Sequence, residues 1–181
     1  NPRVYTDLKA GKEQKGNVNG HIVRLADASP AGLSFKWDIY VFGSEAGADK
    51  SSVNLSGLDD SNDLSSPDGL VFSPATGICW IQTDDGAYTD KTNCMMLAAI
   101  PGKVGDGGLR TIKHGDKEVT TFVGKTPTPT TLARFLVGPK GAEITGWCET
   151  ADGRAVFINI QHPGESTKMA DVADPSRFES Q

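Results

Sequence analysis

Two distant stretches of this chain share one build, and that repetition limits the fold more than any other feature. In the first, Gly69-Leu70-Val71-Phe72 runs through Ser73-Pro74-Ala75-Thr76-Gly77 into Ile78-Cys79-Trp80-Ile81-Gln82-Thr83. In the second, Ile144-Thr145-Gly146-Trp147-Cys148 runs through Thr150-Ala151-Asp152-Gly153 into Ala155-Val156-Phe157-Ile158-Asn159-Ile160. Each reads as strand, tight turn, strand, with a glycine closing the turn where a positive φ is needed. Short strands are also expected at His21–Leu25, Met95–Ile100 and Leu132–Val137. Leu33, Phe35, Trp37, Ile39 and Val41 alternate with Ser34, Lys36, Asp38 and Tyr40, the period of a strand with one buried face. No segment carries the 3.6 period of a helix. Repeated hairpins without helices argue for an all-β sandwich, barrel or propeller, and the repetition favours a propeller.

Between these segments the chain is polar. Residues 1–20 read as an extended arm, and the Ser- and Asp-rich stretch 43–67 as a long, mobile surface loop. Residues 101–131, rich in Gly, Thr, Pro and Lys, read as an excursion from the core with a short strand at Val119–Val123. The expected organisation is therefore a partial propeller over 1–165 and a loosely held polar tail over 166–181. Trp37, Trp80 and Trp147 are expected in the core between blades.

The net charge of −5 and the absence of a basic cluster argue against nucleic-acid binding. No apolar run approaches the ~18–20 residues of a membrane-spanning helix. Cys79, Cys94 and Cys148 are odd in number and show no metal-type spacing, so they read as small hydrophobes. The chain opens on Asn1-Pro2-Arg3, without a methionine or a leader. It is therefore expected to be processed or to be a piece of a longer protein.

Asp68 lies nine positions before Gly77, and Glu143 ten before Gly153. In a propeller both would open the first strand of a blade and face the central axis. Carboxylates so placed are either solvated strand ends or ligands of a hard cation that relieves their repulsion. His21 and His162 have no second histidine or carboxylate at ligand spacing and read as structural. Asp84 follows a strand and reads either as a turn cap or as a neighbour of the same cation.

At this point the chain resembles the C-terminal part of the PhoX-type alkaline phosphatases. The resemblance rests on Asn1-Pro2-Arg3, Gly20-His21-Ile22-Val23-Arg24, Phe35-Lys36-Trp37-Asp38 and Ser66-Pro67-Asp68-Gly69-Leu70. It continues through Trp80-Ile81-Gln82-Thr83-Asp84, Arg134-Phe135-Leu136-Val137-Gly138-Pro139 and Glu143-Ile144-Thr145-Gly146. It closes on Asp152-Gly153-Arg154 and the long run Phe157-Ile158-Asn159-Ile160-Gln161-His162-Pro163-Gly164-Glu165.

The resemblance implies a six-bladed β-propeller phosphomonoesterase, exported to the periplasm or beyond by the twin-arginine route, with iron and calcium at one mouth. It implies that Asp68 and Glu143 are calcium ligands and that Arg134 contacts substrate phosphate. It also implies that the iron ligands lie in an N-terminal half outside this chain. Two or three blades are expected here, so the isolated chain should have little phosphatase activity and should self-associate through open blade faces. Two alternatives stay open: a calcium-dependent lactonase-like propeller hydrolase and a non-catalytic propeller binding domain.

Overall fold

In a computed structural model the structure describes residues 6–9, 12–15, 17, 19–84, 93–114 and 117–178. Asn1-Pro2-Arg3 and the last three residues of the tail lie outside them. Twelve strands are described: β1 (Thr6–Lys9), β2 (Lys12–Lys15), β3 (His21–Asp27), β4 (Phe35–Phe42), β5 (Pro67–Phe72), β6 (Cys79–Thr83), β7 (Met95–Ala99), β8 (Leu109–His114), β9 (Lys117–Phe122), β10 (Leu132–Val137), β11 (Glu143–Glu149) and β12 (Val156–Gln161). Two short 3-10 turns, Met169–Asp171 and Pro175–Arg177, follow. Every strand pairing is antiparallel. The fold is all-β, as the hairpin pattern predicts.

The centre is a four-stranded sheet in the order β10-β7-β6-β5. The two inner strands read as unbroken apolar runs, Cys79-Trp80-Ile81 and Met95-Met96-Leu97-Ala98-Ala99, because both of their faces are covered. On one face Ile81, Met95, Leu97 and Leu132 pack with Tyr40 and Val41 of β4 and with Leu58 and Leu64. On the other, Trp80 and Met96 pack with Ile144 of β11, backed by Trp147 and Ile158. Each fully buried Leu or Ile in this stack contributes about 1.5–3 kcal/mol. The sheet is thus flanked on both faces by other β elements, and its first strand, β5, is left as an edge.

Three expectations change. First, β4 does not bury one face along its length. Residues 35–37 are exposed and 38–42 are buried on both faces. The start of β4, with its β3 partner Leu25 opposite Trp37, projects past the central sheet. Trp37 is therefore 48% exposed, whereas Trp80 is buried and Trp147 half-buried.

Second, 43–67 is a loop but not a surface one. Val53, Leu55, Leu58 and Leu64 are buried. Asn54, fully buried, makes this possible by bonding loop backbone. Its Nδ2 donates to Ala46 O at 3.1 Å and to Leu58 O at 2.9 Å, and its Oδ1 accepts from Leu58 N at 2.7 Å. The sequence conceals this because the apolar residues follow no strand or helix period.

Third, the excursion 101–131 holds the paired strands β8 and β9, and β1 pairs with β2 where an arm is expected. The end of β9 docks on β4 through an Ile39–Val123 bridge and a bond from Gly124 N to Ile39 O at 2.9 Å. A Cβ on Gly124 would lie 2.5 Å from Tyr40 O, so only glycine permits the approach. Arg24 secures the same junction. Its Nε donates to Asp38 Oδ1 at 3.1 Å and its Nη2 to Asp106 Oδ1 at 2.9 Å. In the tail, Asp171 is buried and paired with Arg177 at 2.8 Å.

Candidate functional site

The site is built where β5 and β11 begin. The amide of Gln82 on β6 crosses to the second hairpin and donates to Gly146 O on β11 at 2.7 Å. A Cβ on Gly69 would meet Gln82 Oε1 at 2.7 Å, so the glycine after Asp68 leaves room for that reach. Both strands are irregular here: the ladder slips between Pro67 and Leu70 and between Thr145 and Trp147. Such bulges re-aim side chains at the ends of strands.

Three carboxylates come within electrostatic range here, Asp84 and Asp68 both acting on Glu143. Glu143 is buried, with its side chain 8% exposed, while Asp68 and Asp84 are exposed. Asp84 is held beside β5 by its N–H donating to Ser66 O at 3.1 Å. Burial raises the Glu143 carboxyl above its ordinary value, and the charges of Asp84 and Asp68 raise it further. His162 acts in the opposite direction, with Nε2 3.6 Å from Glu143 Oε2. The other ring nitrogen, Nδ1, lies 3.5 Å from Glu165 Oε1.

Two non-glycine residues among those described have positive φ: Ser66 at 51° and His162 at 39°. Both border this carboxylate group. Backbone conformations of this kind cluster where a site holds side chains in unusual positions.

The structure therefore brings Asp68 and Glu143 into one electrostatic group. It adds Asp84, which the sequence leaves between two roles, and His162, which the sequence reads as merely structural. A hint existed in the run Gln161-His162-Pro163-Gly164-Glu165. His21 instead stacks on Phe42, with ring centroids 6.0 Å apart.

Arg134 does not join the group. It lies on β10, at the far edge of the sheet from β5 and about 14 Å away by strand spacing. Its guanidinium pairs with Asp63 and donates to Asp60 O at 3.1 Å. The thiol of Cys79 is buried and pushed up to about 11, which makes it a poor ligand or nucleophile.

The donor chemistry of the acidic group fits a hard, oxygen-seeking divalent cation. A buried Glu143 resists ionisation beside two other carboxylates, and a cation removes that conflict. Among the described residues, no three His, Cys, Asp or Glu side chains stand close enough to hold a metal ion. Asp68, Asp84 and Glu143 would be at most part of a ligand set.

The comparisons with known proteins bear on the chain as a whole. The family model for alkaline phosphatase PhoX matches residues 2–164, which include Asp68, Asp84, Arg134, Glu143 and His162. Among solved structures, Pseudomonas fluorescens PhoX in complex with vanadate, a transition-state analogue, superposes with a TM-score of 0.61 at 28% identity. The match covers 91% of this chain and 25% of that one, so the chain spans about a quarter of the length of this relative. None of the curated proteins matches it. A match over nearly the whole chain, together with the shared β-propeller-like fold, shows that the chain belongs to the PhoX alkaline phosphatase family.

Proposed function

We propose that this chain supplies part of the calcium-holding mouth of a PhoX-type phosphomonoesterase, with Asp68 and Glu143 as ligands and Asp84 beside them. The observation that carries the reading is the raised Glu143 carboxyl, buried against two further carboxylates at the openings of two stacked hairpins. The family is metal-dependent, and the substrate that fits it is a phosphate ester. A divalent cation bound here would neutralise phosphate charge and help stabilise the leaving alkoxide.

The chain's own residues set the conditions for that chemistry. Burial raises the Glu143 carboxyl, and a cation held here would favour its ionised form by supplying positive charge in place of the lost hydration. Asp68, exposed at the edge strand β5, holds the solvent side of the site. The Gln82–Gly146 bond fixes the separation of the two strand openings. Arg134 remains a phosphate contact only as the family resemblance implies, since its guanidinium is tied to Asp63 at the opposite edge of the sheet from Asp68. The guanidinium suits two-point phosphate binding.

The remaining parts of the reading rest on the resemblance. They are a six-bladed propeller completed by an N-terminal half, iron held in that half, and twin-arginine export to the periplasm or beyond. No helix among the described residues is long and apolar enough to cross a membrane. Leu25, Leu70 and Phe72 line an apolar groove between β3 and β5 and are exposed, as are Phe35 and Trp37 on β4, which supports self-association of the isolated chain. Nothing observed favours the lactonase-like or binding-domain alternatives.

The test is hydrolysis of p-nitrophenyl phosphate by the intact protein before and after chelation. Loss of activity with chelator and its return with calcium is expected. Activity indifferent to the chelator, or hydrolysis of lactones in place of phosphate esters, would overturn the reading.

A further inference from the structure

We propose that His162 is a positioning residue. Its ring donates an N–H that turns the Glu143 carboxylate toward Asp68, and a left-handed backbone is kept at position 162 to place that ring. This inference rests on the cation site proposed above.

The argument begins with strand alternation. Gln161, the last residue of β12, is paired directly with Glu143. Directly paired residues share a face of the sheet, and successive residues alternate between faces. Were β12 to continue regularly, His162 would point away from Glu143. Instead φ at His162 is 39°. The chain reverses there into a tight turn, with Glu165 N donating to His162 O at 3.2 Å and Thr167 N to Gly164 O at 2.9 Å. This break in alternation returns the ring to the Glu143 side.

Glycine is the residue for which such a φ carries no steric cost, yet the position holds a histidine. The side chain must therefore do something that offsets the strain. Its environment shows what that is. Nε2 is 3.6 Å from Glu143 Oε2, and Nδ1, buried and without a hydrogen bond, is 3.5 Å from Glu165 Oε1. The ring is held between one buried carboxylate and one exposed carboxylate. A closure of a few tenths of an ångström brings Nε2–H into normal donating range of Glu143. The donor is present in the neutral Nε2–H tautomer and in the imidazolium, so the role does not depend on the charge of the ring.

Glu143 has two oxygens, and a cation beside Asp68 needs one of them directed inward. A donor fixed on Oε2 leaves Oε1 for the cation and removes the rotational freedom of the carboxylate. Partners that orient a ligand in this way typically change metal affinity by about 10- to 100-fold when lost. Glu165 would steady the far side of the ring from the exposed turn when Nδ1 also carries a proton, as in the imidazolium.

Three substitutions in the chain, each titrated with calcium chloride by calorimetry and each melted, test this. His162→Ala removes the donor and keeps the strain. His162→Gly removes the donor and relieves the strain. His162→Gln keeps an amide donor near the position of Nε2. The expected result is calcium affinity about 10- to 100-fold weaker in H162A and H162G, and within about threefold of the parent in H162Q. H162G is expected to melt no lower than the parent. Unchanged affinity in H162A and H162G overturns the proposal, as does an affinity loss that simply follows Tm across the three variants.

Nitrogen-15 NMR of the ring separates this inference from the cation reading. Glu143→Gln should move the Nε2 resonance of His162 more than the Nδ1 resonance. If the parent chain binds no calcium, the cation reading fails. The ring contact then stands if Glu143→Gln moves Nε2, and falls if it does not.

Discussion

Gln82 Nε2 donates to Gly146 O at 2.7 Å, so a residue of the first hairpin fixes the position of the second. Around this bond the two strand openings that carry Asp68 and Glu143 are set side by side. Gln82 is buried, and Gly69 and Gly146 both lack a side chain that would obstruct it or its neighbours.

Replacing Gln82 by leucine keeps the volume and removes the donor. The expected cost is about 1 kcal/mol, since Gly146 O stays near solvent. The stronger effect should fall on calcium affinity, which drops because β5 and β11 lose their tie. A Q82L chain that binds calcium as the parent does would show that the spacing is set elsewhere.

Glu143 should make stability depend on pH in a direction opposite to most carboxylates. Burial, then Asp84 and Asp68, raise its folded-state value above the ordinary 4.5. The folded chain therefore holds this proton more tightly than the unfolded chain. Its contribution to stability is complete below about 4.5 and is lost as pH rises through the raised value. In chelator at pH 7, E143Q should melt above the parent, and that advantage should vanish on acidification. Calcium should restore the parent at pH 7 and leave E143Q unaffected. Melting curves across pH 4–8 check this, and a gap independent of pH would contradict it.

The Arg24 junction predicts a large structural effect away from the site. Asp38 is fully buried, and its carboxylate takes Arg24 Nε at 3.1 Å and Gly105 N at 2.5 Å. Asp38→Ala leaves a nearly buried guanidinium with Asp106 as its one remaining carboxylate, and should cost about 3–5 kcal/mol. Asp106→Asn should cost less, because that carboxylate is more exposed. Comparable losses from both substitutions, measured by denaturant unfolding, would show that Asp38 is not the principal partner.

Arg134 and Asp63 give a test of the phosphate contact. The guanidinium ties β10 to the 59–63 loop, so Arg134→Ala should lower stability by about 1.5–3 kcal/mol. In the intact enzyme, Asp63→Asn frees the guanidinium, and inhibition by inorganic phosphate should strengthen. Unchanged phosphate inhibition in both variants would confine Arg134 to holding the loop.

Much of this architecture was legible in the residues. The hairpins at β5–β6 and β11–β12 stand out because Gly77 and Gly153 close turns between apolar runs, and both glycines have positive φ. The near-equal spacing of Asp68 and Glu143 from those glycines anticipated their approach. What the sequence concealed was tertiary. Burial of 43–67 depends on Asn54 bonding loop backbone, which no local period reports. The exposure of Trp37 depends on how far β4 outruns its neighbours. His162 reaches Glu143 only because its backbone leaves the strand, and that conformation has no signature in a residue type that rarely adopts it. Arg134 sits in a matched motif, yet its partner Asp63 comes from a loop whose path the sequence did not reveal.

The central claim is that Asp68 and Glu143 hold a cation that phosphate-ester hydrolysis needs. Calcium content and turnover of p-nitrophenyl phosphate, measured together on the intact protein carrying Asp68→Asn or Glu143→Gln, test it most directly. The account predicts that each variant loses bound calcium, falls at least tenfold in kcat, melts within a few degrees of the parent and regains part of its activity in excess calcium. Full calcium content and full turnover in both variants would contradict it.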